Sequence, residues 1–381
     1  MHLNKPHLLT RRGLGGLALG LAFATGAMAQ DDAITIGVTA PVTGPAAQYG
    51  EAWVEGFDLA LETINAEGGI NGTPLEYVIE DSQNDPRQAV AIAQKFIADP
   101  NIVVEAGDLS STTSMAASPL YQRAGLVQFG FTNSHPDFTK TGDYIWSSAI
   151  PQSQEQPLLA EIAYNDLGMR KVAVLHLNTD WGTTAKNLFV ESFEALGGEI
   201  VAAEGYLPEE KDFRATITRV MSGEPDGIIL ESYYGDGALV TRQVREAGIE
   251  LPILGVSSLY SPDFLDLAGE FAEGVYTTTY FAPNIPRPEV QDFIAAFEEA
   301  YGHAPNSFNA MAYDTMNILA AVMREYGTSR EEIKDGLGQI SGLPSVIFRD
   351  VTFDVESRRV AGPEITTLVV EDGEFAIFEA E

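Results

Sequence analysis

The feature that most constrains this chain is a rhythm that runs twice. From Ala33 onward, short β-rich runs alternate with amphipathic helical patterns: "ITIGV" (34–38), "LEYVIE" (75–80), "NIVVEA" (101–106) and "GLVQFGF" (125–131) are each followed by a loop or helix. Trp53, Phe57, Leu61 and Ile64 recur at helical spacing, and the glycines at 68–69 supply a stop. Asp85-Pro86 reads as a helix cap and first turn, with Gln88 at the capping-box position. The rhythm restarts after "AIPQSQEQP". It continues through "KVAVLH" (171–176), "EIVAAEGY", "GIILES", "PILGV" and "GVYTTTY". Three helical patterns follow between Arg287 and Ile340, and the runs "VIFRDVTFD", "EITTLVVE" and "EFAIFE" close the chain. Strands alternating with helices require a parallel sheet covered on both faces, here twice over. At 381 residues the chain suits two such α/β lobes, each a doubly wound sheet.

The first 29 residues are a different object. Lys5, Arg11 and Arg12 precede a Gly/Ala/Leu-rich stretch, Gly13 to Met28, ending in "AMA". This is the pattern of an export signal peptide cleaved after Ala29; the apolar run falls short of the ~20 residues of a membrane-spanning helix. The pair in "TRRGLGG" hints at twin-arginine rather than general secretory export. Cleavage would remove three basic residues and no acid, taking the net charge from −33 to −36. Such a field repels nucleic acid and anionic lipid. The absence of cysteine excludes disulfides, thiol chemistry and a lipid-anchored cysteine, so the mature chain is expected to be soluble outside the cytoplasm.

Doubly wound sheets bind ligands beyond the carboxyl ends of their strands. The loops there are unusual. The first lobe carries "APVTGPAAQYG" with Tyr49, then "GDLSSTTSMAAS" with hydroxyl side chains from Ser110 to Ser114, then Thr132, Asn133, Ser134 and His135. The second carries "NTDWG" with Trp181, "SYYGDG" with Tyr233 and Tyr234, and "SSLY" with Ser257 and Ser258. Hydroxyls face aromatics, an arrangement suited to a small polar headgroup covered by rings. No phosphate-binding glycine loop, hydrolase elbow or pair of histidines at metal spacing occurs, so neither an enzyme, a metal nor a cofactor is indicated.

Over essentially its whole mature length the chain resembles the solute-binding proteins of branched-chain amino acid (leucine/isoleucine/valine) ABC transporters. The resemblance is carried by "ITIGVTAPVTGPAAQYG", "INAEGGINGTPLE", the D-x-x-x-DP-x-QAV pattern from Asp81, "GDLSSTTSMAAS", "TNSHPDFT", "DWG" and "FNAMAYDTM". It implies a type I periplasmic binding protein: two lobes, 34–147 plus 282–363 and 148–281 plus 364–379, joined by three crossings, closing on a ligand and docking on an inner-membrane permease. It implies a monomer in the periplasm without catalysis. The family's carboxylate-binding serine falls on Ser111, with Thr112 beside it at the same helix start, where amide groups and helix dipole favour an anion. Contacts after the next strand fall on Thr132 and Ser134, and the aromatic cover on Tyr49, Trp181 and Tyr233.

One position departs from that pattern. Where amino-acid binders place a glutamate against the ligand's ammonium, this chain has Ser257. A buried ammonium without an anion would cost several kcal/mol. Either another acid serves, Glu231 and Asp108 being the nearest candidates, or the ligand is a small carboxylate without an α-ammonium, aromatic or amide-like. A sensor subunit of the same fold is the remaining reading.

Overall fold

A computed structural model describes residues 33–208, 210–283, 285–360, 362 and 365–379; the expected export segment lies outside them. The first half contains β1 (Ile34–Ala40), α1 (Ala47–Ala66), β2 (Leu75–Asp81), α2 (Pro86–Ala98), β3 (Ile102–Gly107), α3 (Ser111–Ala124), β4 (Val127–Gly130), β5 (Ile145–Ser147) and α4 (Gln152–Glu161). Next come β6 (Lys171–Leu177), α5 (Asp180–Ala195), β7 (Glu199–Tyr206), α6 (Arg214–Met221), β8 (Gly227–Glu231), α7 (Tyr234–Glu246), β9 (Ile253–Gly255), α8 (Pro262–Ala268) and β10 (Val275–Thr279). The helices α9 (Pro288–Tyr301), α10 (Ser307–Tyr326) and α11 (Arg330–Leu337) follow. Short strands end the chain: β11 (Leu343–Pro344), β12 (Asp350–Val351), β13 (Phe353–Asp354), β14 (Arg359–Val360), β15 (Thr366–Glu371) and β16 (Glu374–Ile377).

These strands form two seven-stranded sheets, ordered β13-β14-β5-β4-β3-β1-β2 and β16-β15-β10-β9-β8-β6-β7. The chain passes between them after β5, after β10 and after β14. The strands β1–β5 of one sheet and β6–β10 of the other pair parallel, as the alternation of strands and helices requires. Strand order reverses between β1 and β3 in the first sheet and between β6 and β8 in the second. Those two reversals are where a doubly wound sheet opens a crevice.

Local chemistry explains the element ends. Asp85 Oδ1 accepts from the Arg87 amide at 2.8 Å and Pro86 occupies the first turn of α2. The expected reciprocal bond from Gln88 is not made, because the Asp85 N–H already donates to the Ser82 carbonyl at 2.8 Å. The run "VIFRDVTFD" is less strand-like than expected: only Asp350–Val351 and Phe353–Asp354 pair. Residues 345–348 instead wrap the buried Asp314 carboxylate, which accepts from the Ser345 hydroxyl and from the Val346 and Ile347 amides at 2.5, 3.0 and 2.9 Å.

One face of the first sheet buries Ala93, Phe96, Tyr121 and Phe138 beneath α2 and α3. On the other, Phe57 of α1 lies against the rings of Tyr77 and Phe131, at 5.5 and 5.8 Å between centroids. It is fully buried, so truncation to Ala would cost about 3–5 kcal/mol. Gly56 lets α1 approach α10: a Cβ there would stand 2.3 Å from the Asn309 carbonyl oxygen.

Candidate functional site

The two reversal points face each other, and the chain is closed across them. Trp181, at the start of α5, is the main tie. Its backbone N–H donates to Thr112 Oγ1 at 3.2 Å and its indole N–H to Ser134 Oγ at 2.9 Å, both on the first lobe. Its carbonyl accepts from Gln152 Nε2 at 3.0 Å. Tyr49, in the first turn of α1, accepts from the Tyr234 amide at 3.2 Å and donates to the Ser258 carbonyl at 3.3 Å, reaching the second lobe with one hydroxyl. His135 Nε2 lies 3.0 Å from Thr184 Oγ1 and 3.6 Å from Asp180.

Inside this seam is a chamber of about 60 Å³. Since a water centre needs about 10–15 Å³, it has room for one small solute. Six of the residues expected at the site line it: Tyr49, Thr132, Ser134, Trp181, Tyr233 and Ser257. Trp181 stacks on Tyr233 at 5.0 Å between centroids and 18° between planes, and Tyr49 meets Tyr233 edge-on at 6.1 Å. Tyr49 and Tyr233 also line a wider, mostly apolar recess of about 590 Å³, to which Ser110 and Thr112 belong. Burial pushes the phenols of Tyr49 and Tyr233 upward, so both serve as neutral hydroxyls.

The two first-lobe hydroxyls in the chamber differ in what they can give. Thr132 Oγ1, of a residue lining the chamber, lies 3.2 and 3.0 Å from the Asp108 and Leu109 carbonyls, so its proton is committed and the hydroxyl is left as an acceptor. Ser134 Oγ accepts from the Trp181 indole, which leaves its own proton to donate. The loop that carries both is pinned by the buried Arg359 of β14. Its guanidinium donates to the carbonyls of Asn133, Ala149 and His135 at 3.1, 2.9 and 2.8 Å.

The other expected residues lie elsewhere. Ser111 is 1% exposed, accepts from the His135 amide at 3.1 Å, and is not part of the chamber lining. Asp108 is buried, bonded at 2.6 Å to the Leu109 amide; burial pushes its carboxyl up to about 7. Glu231, at the end of β8, is fully buried outside the lining and accepts from Gln156 Nε2 at 3.1 Å.

The acid that does line the chamber is Glu155, in the first turn of α4. Its Oε1 accepts from the Ser257 hydroxyl at 2.8 Å, the Ser257 amide at 3.3 Å and the Tyr280 hydroxyl at 2.7 Å. Burial raises its pKa, while the Tyr280 and Ser257 bonds oppose that rise. A search of post-strand loops misses it because it sits within "AIPQSQEQP", on the first crossing. Apolar lining from Leu109, Phe131, Val256, Phe308 and Met311 completes the chamber; the last two belong to "FNAMAYDTM". The arrangement offers a hydroxyl donor, a carboxylate and a ring-lined wall. It is built to hold and orient a solute. Among the described residues no group of three acids, histidines or cysteines gathers to hold a metal.

A family model described as periplasmic binding protein matches residues 33–373. The chain is 28% identical to a leucine-, isoleucine-, valine-, threonine-, and alanine-binding protein of Pseudomonas aeruginosa, over 81% of this chain and 83% of that protein. It is 30% identical to a leucine-specific-binding protein of Salmonella typhimurium, over 68% and 70%. The isoleucine complex of LivJ, a branched-chain amino acid transporter substrate-binding protein of Streptococcus pneumoniae, superposes with a TM-score of 0.85 at 25% identity, covering 91% of this chain and 98% of that one.

Proposed function

This chain belongs to the periplasmic binding protein family, and on that premise we propose that it is the non-catalytic, exported capture component of an ABC importer, working as a monomer in the periplasm. It closes on a small zwitterionic amino acid with an aliphatic side chain and delivers it to an inner-membrane permease. The lobes are 34–147 with 282–363 and 148–281 with 364–379, and the ligand shifts an open–closed equilibrium through contacts that both lobes supply only when closed. The observation that carries the ligand class is Glu155, a buried carboxylate in the chamber that also holds the Ser134 hydroxyl. Ser134 meets the ligand's carboxylate, and Glu155 with the Thr132 lone pairs meets its ammonium. Glu155 thereby supplies the charge that Ser257 lacks, with Ser257 orienting it.

A second reading rests on the Trp181–Tyr233 stack, which suits a flat ring as well as an aliphatic chain. In it the ligand is an aromatic carboxylate and Glu155 stays protonated. Calorimetry of the unfolded-and-refolded, ligand-free protein with leucine, isoleucine and valine against benzoate and 4-hydroxybenzoate separates the two. Stoichiometric binding of the aliphatic amino acids, with the solute recovered unchanged, is expected. Binding of the aromatic acids alone would replace the first reading with the second, and recovery of a converted product would overturn both.

A further inference from the structure

Glu231 and Gln156 present a pattern that neither residue explains alone. Glu231 is fully buried, and no Lys, Arg or His lies within ion-pair distance of it among the described residues. Its only described donor is Gln156 Nε2, at 3.1 Å to Oε2. Its Oε1 has no hydrogen-bond partner among the described residues, and neither has Gln156 Oε1 on the same partner. A carboxylate with one neutral donor and no cation is costly to bury. The two stranded atoms are both acceptors, and a proton on the Glu231 carboxyl would supply the donor that both lack. Placed on Glu231 Oε1 and aimed at Gln156 Oε1, it would add a second hydrogen bond to the one from Gln156 Nε2 and so close an acid–amide ring, with one bond in each direction. The contrast with Asp314 is direct: three donors surround that buried carboxylate and it needs no such proton.

We propose that Glu231 is a positioning residue for ligand capture, held as a neutral carboxylic acid whose two-bond ring with Gln156 fixes the first turn of α4 and hence Glu155. The neutral acid has a second consequence. Glu155 and Glu231 are close enough to repel when both are charged, and keeping Glu231 protonated leaves the single negative charge on the residue that faces the chamber. The other titratable groups around Glu231 are His176, its register partner on β6, and Tyr206 at the end of β7. Burial lowers the first and raises the second, so both are neutral near pH 7 and neither supplies a counter-charge. This inference rests on Glu155 being the ammonium partner, but the ring itself does not.

The test uses the full mature protein. Infrared difference spectra between wild type and Glu231→Gln at pH 7 should show a protonated-carboxyl C=O band present only in wild type. Its absence, with a carboxylate band lost instead, overturns the proposal whatever the ligand. Glu231→Gln preserves a two-bond amide–amide ring, so leucine affinity should stay within about threefold of wild type, whereas Glu231→Leu should lose about tenfold or more. Wild-type affinity should fall as pH rises through the Glu231 titration, and Glu231→Gln should flatten that limb. A Glu231→Gln variant as weak as Glu231→Leu would sink the positioning role. If Glu155→Gln leaves leucine binding intact, the reading of Glu155 fails while the infrared result still decides the ring.

Discussion

The two lobes repeat one topology and bring opposite chemistry to the chamber. In the first, the reversal at β1 and β3 and the loop after β4 present hydroxyls and backbone carbonyls, held rigid by Arg359. In the second, the matching reversal at β6 and β8 presents Trp181 and Tyr233, with the charge arriving separately on α4. Equivalent positions on a doubly wound sheet are thus a frame, and the side chains on that frame decide what it holds. The lobes also differ in what closure does for them. The first holds Thr132 by itself, through the Asp108 and Leu109 carbonyls, while its Ser134 hydroxyl meets Trp181 across the seam. The second completes its share only when Trp181 finds Thr112 and Ser134 across the seam.

The largest test of this asymmetry is Glu155→Gln. Removing the one carboxylate found in the lining among the described residues should weaken leucine binding by about 2–5 kcal/mol, leaving the protein folded. The pH dependence has a definite sign. The Glu155 pKa is raised by burial, and an ammonium binds its charged form, so leucine affinity should fall as pH drops through that raised value, starting above the usual carboxylate range of about 4.3. Calorimetry across pH reads this limb; an affinity that rises on acidification would instead favour a ligand lacking an ammonium. Trp181→Ala comes next. It loses the ring stack and the indole bond to Ser134 and should weaken binding by roughly 2 kcal/mol or more. Small-angle scattering should then show less compaction on adding ligand, and undiminished compaction would break the idea that the second lobe depends on the seam.

The smallest effects discriminate between two serines. Ser134→Ala removes a donor to a carboxylate and should cost about 1.5–3 kcal/mol in affinity. Ser111→Ala should leave affinity nearly unchanged and lower thermal stability by about 1 kcal/mol, through the lost bond to the His135 amide. The reverse ranking would restore the carboxylate role to Ser111.

Much of this was legible in the chain. The loops after strands announced themselves because hydroxyl, aromatic and turn residues are out of place inside an alternating apolar pattern, and six of the residues found there line the chamber. Ser111 and Thr112 show the limit of such reading. A helix start with consecutive hydroxyls looks uniform in sequence, yet the helical rotation of about 100° per residue sends Ser111 inward to His135 and Thr112 out to Trp181. Glu155 was hidden for a different reason. A single acid between two glutamines on a crossing segment carries no periodic or motif signal, and its pairing with Ser257 spans 102 positions of chain.

The sequence by itself determined the doubly wound lobes, the restart between them and the chemical flavour of each rim, because these follow from local periodicity and turn chemistry. Which acid faces the ligand, which serine keeps a donor proton, and that Glu231 turns away to meet Gln156 were decided only by the tertiary structure. Those outcomes depend on burial and on partners far apart in the chain, and a buried polar group takes its role from whatever it can bond to once water is gone.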